Sequence, residues 1–392
     1  MTGTESLAGH RRFYCTEQLR VFSRQQQCEL EAALHDSDGV TDIIPVTDPT
    51  DLQLDHLFCT INGGYRYSAT GFQQLCSFLA PYAGSLIRDV AGGVRVGSGR
   101  DKLADVDFAR NILNGLIRLR FDTLSSHLML CDARRKVIDG LVGRKHKIYD
   151  NSAFYEQVRD IAATIDRPVV FHSAAVLGRR LLLWYRSSVP FTAQEVHAGD
   201  IWKFYGGYYF CNGEVRGTSA RGTVAVFCRR GVCLGPYRKH GGSIKHIGKG
   251  FERRLSRLLG KILTRTAPED QIKTGLSRLI STPLGFFSGD AEAVHARKQT
   301  LAVALSAFGA PLGLCTKAVE NALYLGCESP KRVVKPFSAE LDKATPELFA
   351  SRTFFDLMAA AVRLGGSLRL THKELIEQTA WRMLTGDLQF EI

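Results

Sequence analysis

Residues 202–261 read WKFYGGYYFCNGEVRGTSARGTVAVFCRRGVCLGPYRKHGGSIKHIGKGFERRLSRLLGK, and the fold class turns on where this stretch changes its period. From Trp202 to Phe210 it is aromatic and β-prone. Asn212-Gly213 marks a turn, and Gly222 to Cys228 alternates before Arg229-Arg230-Gly231 turns the chain into Val232-Cys233-Leu234. Past a loop of glycines and cations the period becomes helical: Phe251, Leu255, Leu258, Leu259, Ile262 and Leu263 recur at offsets of three, four and seven. Strands feeding a basic helix predict an α+β protein.

The same stretch carries a charge imbalance. Between Arg229 and Lys261 stand ten cations, namely Arg229, Arg230, Arg238, Lys239, Lys245, Lys249, Arg253, Arg254, Arg257 and Lys261, against Glu252 alone. The helix packs one face and charges the other. The loop 238–249 leads into its N-terminus, where free N–H groups and the helix dipole favour an anion and glycines let backbone approach a phosphate. The plainer alternative is a solvated basic face with a flexible loop. A second basic cluster, Arg144, Lys145, His146 and Lys147, follows a strand candidate further upstream.

Working outward, the N-terminal two-thirds mixes strands and helices. Residues 1–20 are polar and read as a frayed N-terminus; Gln25 to Leu34 reads as a helix and Val40 to Val46 as a strand. Leu57 to Ile61, Asn62-Gly63-Gly64 and Tyr65 to Tyr67 predict a hairpin, and Ser68 caps a helix burying Phe72, Leu75, Cys76 and Leu79. Asp105 to Leu113 is a helix, Gly115 to Phe121 a strand, and Leu128 to Val142 two strands about a polar turn. Asn151 or Ser152 caps a helix to about Thr164, and Pro168 to Leu177 and Leu181 to Tyr185 are strands. After Pro268 the pattern is helical (269–280, 291–308, 315–325, 346–364, 371–384), so the domains read as 1–20, 21–267 and 268–392. A strand-rich platform is thus followed by a helical domain.

A chain of 392 residues with 45% hydrophobic content can bury its own core, while a formal charge of +12 and a pI near 9.3 suit a phosphate-rich partner. The ten cysteines are scattered among apolar neighbours, as buried reduced thiols would be. No secretory leader and no run of about 18 apolar residues is present, so a cytoplasmic protein without a membrane partner is expected.

Signatures of chemistry are thin. Gly92 to Arg100 lacks both the GxGxxG spacing and the Gly-Lys-Ser/Thr of a phosphate loop. Cys228, Cys233, His240 and His246 depart from zinc-site spacing, so His240 and His246 read as extra cations or phosphate donors. The clusters Asp101/Asp105/Asp107 and Asp36/Asp38/Asp42 are explained by helix caps and turns, and no nucleophile signature stands out. No cofactor, metal or catalytic residue is therefore expected. The aromatics, foremost Tyr205 and Tyr209 on one strand face, could offer stacking platforms for bases beside the cations.

Tyr65-Arg66-Tyr67-Ser68 with Phe72 to Cys76, Val137 to Asn151, Asn212 to Gly217, Arg230 to Cys233, Lys245 to Lys249 and Trp381 to Leu384 occur in this order over about residues 60–385. Together they resemble the uncharacterised phage- and plasmid-associated family of domains of unknown function. The resemblance implies a protein of mobile-element or bacterial origin without an assigned reaction. Where that family has a Cys-Xaa-Asn-Gly-like step, this chain has Cys233-Leu234-Gly235-Pro236, so no role is carried over for that turn.

The expectation is a non-catalytic nucleic-acid-binding protein, preferably for single strands, serving recombination, annealing or replication of a mobile element. Its contacts would be Arg229, Arg230, Arg238, Lys239, His240, Lys245, His246, Lys249, Arg253, Arg254, Arg257 and Lys261, with Tyr205, Tyr209, Arg144, Lys145 and Lys147. A metal-dependent nuclease or a partner-binding phage protein are the alternatives; DNA versus RNA and self-association are left open.

Overall fold

The computed structural model describes residues 14–15, 19–36, 41–79, 102–166, 168–214, 219–228, 233–234, 241–265, 268–283, 352–365 and 370–386. It is an α+β fold with two sheets. The smaller sheet has the order β1 (Tyr14–Cys15), β4 (Arg66–Ser68), β6 (Val137–Gly143), β5 (His127–Asp132), β3 (Thr41–Pro45). β1, β4 and β6 run parallel; β6, β5 and β3 pair antiparallel. Helices α2 (Ala69–Leu79) and α3 (Lys102–Leu119) bury Phe72, Leu75, Leu113 and Ile117 with Tyr67, Ile138 and Leu141 in one core.

The larger sheet is antiparallel, in the order β12 (Cys233–Leu234), β11 (Ala220–Cys228), β10 (Asp200–Gly213), β8 (Arg180–Ser187), β7 (Val169–Leu177), β2 (Leu19–Ser23). Two further strands, β13 (Gly242–Ile244) and β9 (Thr192–His197), pair with β11 and β10. β10 is the axis: its first residues pair with β9, its last with β8, and Phe204 to Cys211 with β11. Because side chains alternate along a strand, Phe204, Tyr208 and Phe210 enter the main core while Tyr205, Tyr209 and Cys211 face the other way.

On the Phe204 face lie α1 (Gln27–His35), α5 (Asn151–Ala163), α6 (Phe251–Leu263), α7 (Glu269–Ser281), α8 (Phe354–Gly365) and α9 (Leu370–Thr385), numbered with α4 (Phe121–Leu124), a single turn. Leu34, Phe154, Leu255, Leu276, Phe355 and Trp381 from them share one cluster. Phe355 meets Trp202 and Phe204 edge-on at 5.2 and 5.9 Å. Among the described residues no helix is long and apolar enough to cross a membrane. Cys15, Cys28, Cys59, Cys76, Cys131, Cys211 and Cys228 are free thiols, and burial pushes the Cys131 thiol up to about 12.

Several expectations are corrected. The boundary at Ala267–Pro268 does not divide the core, since α7, α8 and α9 pack on the larger sheet. The small sheet and its helices have an apolar cluster of their own, apart from the one that α7, α8 and α9 share with the larger sheet. Tyr14, Cys15, Leu19 and Arg20, assigned to a frayed N-terminus, are strand residues. Residues 57–61 are no hairpin arm: the Asp55 carboxylate accepts the N–H groups of Leu57 and Cys59, and Phe58 takes φ 61°, so the segment coils. The strand expected at 115–121 is largely the end of α3, because Leu113 and Ile117 bury at helical spacing. The helices expected at 291–308 and 315–325 lie outside the described residues.

Candidate nucleic-acid interface

α6 is the scaffold. Phe251, Leu255, Leu259, Ile262 and Leu263 are buried, whereas Arg253, Arg254, Arg257 and Lys261 are exposed. Arg253/Arg257, Arg254/Arg257 and Arg257/Lys261 are like-charge neighbours three or four apart, each costing about 0.2–0.5 kcal/mol. Burial contributes roughly 1.5–3 kcal/mol per large apolar side chain, so the helix tolerates this row. Tolerance leaves the row unexplained by stability. The helix starts at Gly250, with φ 73°, shortly after Gly248 at φ 82°, left-handed positions that favour glycine and turn the loop into the helix.

The second basic cluster is brought to this loop. His146 and Ile247 form an antiparallel bridge, and the Lys147 N–H donates to the His246 carbonyl at 2.9 Å. Strand-like alternation on both sides points His146 and His246 inward, where their rings stack at 5.6 Å, and leaves Lys145, Lys147, Lys245 and Ile247 exposed. Beneath them His246 packs on Phe251 at 4.6 Å and Tyr149 meets Phe251 edge-on at 5.3 Å. The Arg254 guanidinium donates to the Ile247 carbonyl, tying α6 to the loop. Gln157 of α5 donates to Ser256 of α6 at 2.7 Å. The cations of 144–147 and 245–249 are therefore side by side, and Arg254 of α6 reaches the same loop. Among the described residues none of Arg144, Lys145, Lys147, Lys245, Lys249, Arg253, Arg254, Arg257 or Lys261 is ion-paired with a carboxylate.

A buried polar hub carries this surface. Arg179, in the β7–β8 turn, pairs with Asp139 of β6 at 2.8 Å and with Glu214 at 3.2 Å, joining the two sheets. The other Glu214 oxygen accepts the Asn151 N–H at 2.9 Å at the start of α5, and its carbonyl accepts from His146 Nε2 at 2.8 Å. Asn212 Nδ2 donates to the Tyr149 carbonyl at 2.9 Å. Burial pushes the Glu214 carboxyl up to about 7, against the pull of Arg179. A buried charge trio adds little net stability but fixes relative positions strongly, because losing one partner strands the others. Here it fixes the strap 144–149 against the end of β10.

Some predicted site residues are moved by the structure. His246 is only 1% exposed and burial, then the neighbouring His146, lowers its pKa to about 4; it is a neutral packing group, not a cation for phosphate. Tyr209 is buried against Trp184, and Tyr205 is half-buried under the Arg186 guanidinium at 4.2 Å. Both tyrosines lie on the sheet face opposite α6, so they are not platforms beside these cations. The cap of α5 is Asp150, with the Glu214 carboxylate taking the first N–H, in place of Asn151 or Ser152. Asp107 pairs with Arg110 at 3.2 Å, and Cys228 lies in the main core. Arg229, Arg230, Arg238, Lys239 and His240 lie outside the described residues, as does the loop 92–100.

Sequence reasoning missed Arg179, Asp139 and Glu214 as a unit. The available signal was an Asn-Gly-Glu step closing an otherwise apolar strand, but partners 35 and 40 residues away in sequence cannot be paired from spacing. Among the described residues no three His, Cys, Asp or Glu side chains are grouped to hold a metal ion. Comparison with protein-family models, curated proteins and solved structures returns no match.

Proposed function

We propose that this is a non-catalytic nucleic-acid-binding protein of the cytoplasm, favouring single strands, with α6, the 245–249 loop and the 144–147 strap as its footprint. The observation that carries the reading is the His146–Ile247 bridge, which gathers cations about a hundred residues apart in sequence onto one surface without carboxylate partners among the described residues. A polyanion is the partner that this surface suits, since each neutralised phosphate releases counterions. The resemblance to phage- and plasmid-associated proteins suggests recombination, annealing or replication of a mobile element as the setting.

Fluorescence anisotropy with a labelled single-stranded oligonucleotide tests it. Affinity should fall steeply with salt, and Arg253/Arg254/Arg257→Ala should lower the slope of log K against log salt by about two, near 0.7 per lost contact on a single strand. A slope left unchanged by the triple substitution, or no binding at low salt, overturns the reading.

A further inference from the structure

One residue of the cationic loop is apolar. Ile247 stands 47% exposed, preceded by Lys245 and His246 and followed by Gly248 and Lys249. Its backbone is held on every side. The N–H donates to the Lys245 carbonyl at 2.8 Å, the carbonyl accepts from the Arg254 guanidinium, and the residue is bridged to His146. Under it lies the ring pile His146, His246 and Phe251. The side chain is presented to solvent from a braced base, so ordering it on binding costs little. Surface isoleucines are common singly, but the side chains beside this one along the loop and across the bridge, Lys245, Lys249, Lys145 and Lys147, are exposed cations.

Resting on the nucleic-acid reading above, we infer that Ile247 wedges between the bases of a bound single strand and is the base contact of this surface. Lysine and arginine contacts to phosphate position a strand without touching its bases, and the two tyrosines expected to stack face the wrong way. An apolar wedge covers the faces of two neighbouring bases and is indifferent to their identity. In a duplex the same insertion must first unstack a base step, which costs a few kcal/mol. Ile247 thereby favours unpaired strands over paired ones, whereas the surrounding cations serve both.

The test uses the whole chain and an oligothymidylate of about 15 nucleotides, within the span of single-strand sites, carrying one 2-aminopurine and an end label. Binding read by anisotropy should be accompanied by a change in 2-aminopurine emission. Ile247→Ala should abolish most of that change and weaken binding about three- to tenfold, the worth of a partly buried aliphatic side chain, with the salt slope kept. Ile247→Phe should restore both. Binding by anisotropy with unaltered 2-aminopurine emission, or Ile247→Ala with wild-type emission and affinity, overturns the wedge while leaving the nucleic-acid reading standing. Absence of any anisotropy change at low salt overturns both.

Discussion

At His246 the two ring nitrogens have different surroundings. Nδ1 faces the Lys147 carbonyl at 3.3 Å and must carry the proton to donate there, while Nε2 is buried with no hydrogen-bond partner. A ring so placed resists a second proton, which is why its pKa drops to about 4; His146, stacked on it, is also lowered by burial. An unfolded histidine takes its proton near pH 6.5, so between there and about 4 the unfolded state binds more protons than the folded one. The stability this ring confers is complete above pH 6.5 and drains as pH falls toward 4. Glu214 works the opposite way: raised to about 7, it contributes fully below the ordinary carboxylate range and less as pH rises through 7. His246→Phe keeps the ring pile and removes one titration. On going from pH 7 to pH 4.5 the unfolding free energy from urea titrations should shift in favour of the variant, relative to the wild type, by on the order of 2 kcal/mol, the Glu214 contribution being common to both. A wild-type protein that loses no more stability than the variant would refute the neutral assignment.

Among the elements, α7 and α9 approach closely at a glycine. A methyl group at Gly275 would run into the backbone carbonyl of Leu384. This closeness lets Arg278 Nη2 donate to the Met383 carbonyl and Gln271 Nε2 to the Thr385 carbonyl, each at 2.7 Å, satisfying carbonyls that the end of α9 leaves open. Gly275→Ala should cost roughly 3 kcal/mol in chemical denaturation, because the helices must part and those bonds with them. Gly260→Ala on α6, where nothing lies within 4 Å of the added carbon, is the comparison. Removing glycine from a helix interior there should be neutral or stabilise by about 0.5–1 kcal/mol. Equal effects at the two sites would mean that helix propensity, and not the crossing, sets the response.

The proposed binding surface belongs to the molecule and not to any one element. Arg144, Lys145 and Lys147 follow β6 of the small sheet, Lys245 and Lys249 follow β13 of the large one, and the Arg179 trio holds the sheets in register. If they form one surface, Arg144/Lys145/Lys147→Ala should lower the salt slope by about two, like the α6 triple, and combining the two sets should lower it by about four. Stability should change little in the strap variant, since Arg144, Lys145 and Lys147 are exposed. A strap variant that binds with the wild-type slope would place the footprint on α6 alone.

Local sequence carried the α+β class, the apolar stripe of α6, the β5–β6 strand pair, the strands β7 and β8, the cap at Ser68 and the two-faced register of β10, because each depends on neighbours within a turn or a strand. The excess of positive charge was equally local. Which cations meet, which aromatic face turns toward them and which histidine is a cation were decided only by folding. The 144–147 and 245–249 segments are joined by backbone pairing across about a hundred residues, and burial reverses the charge expected of His246. Sequence spacing records the period of a segment but not the partner it packs on or the water it loses, and those two quantities set the geometry and the electrostatics of this surface.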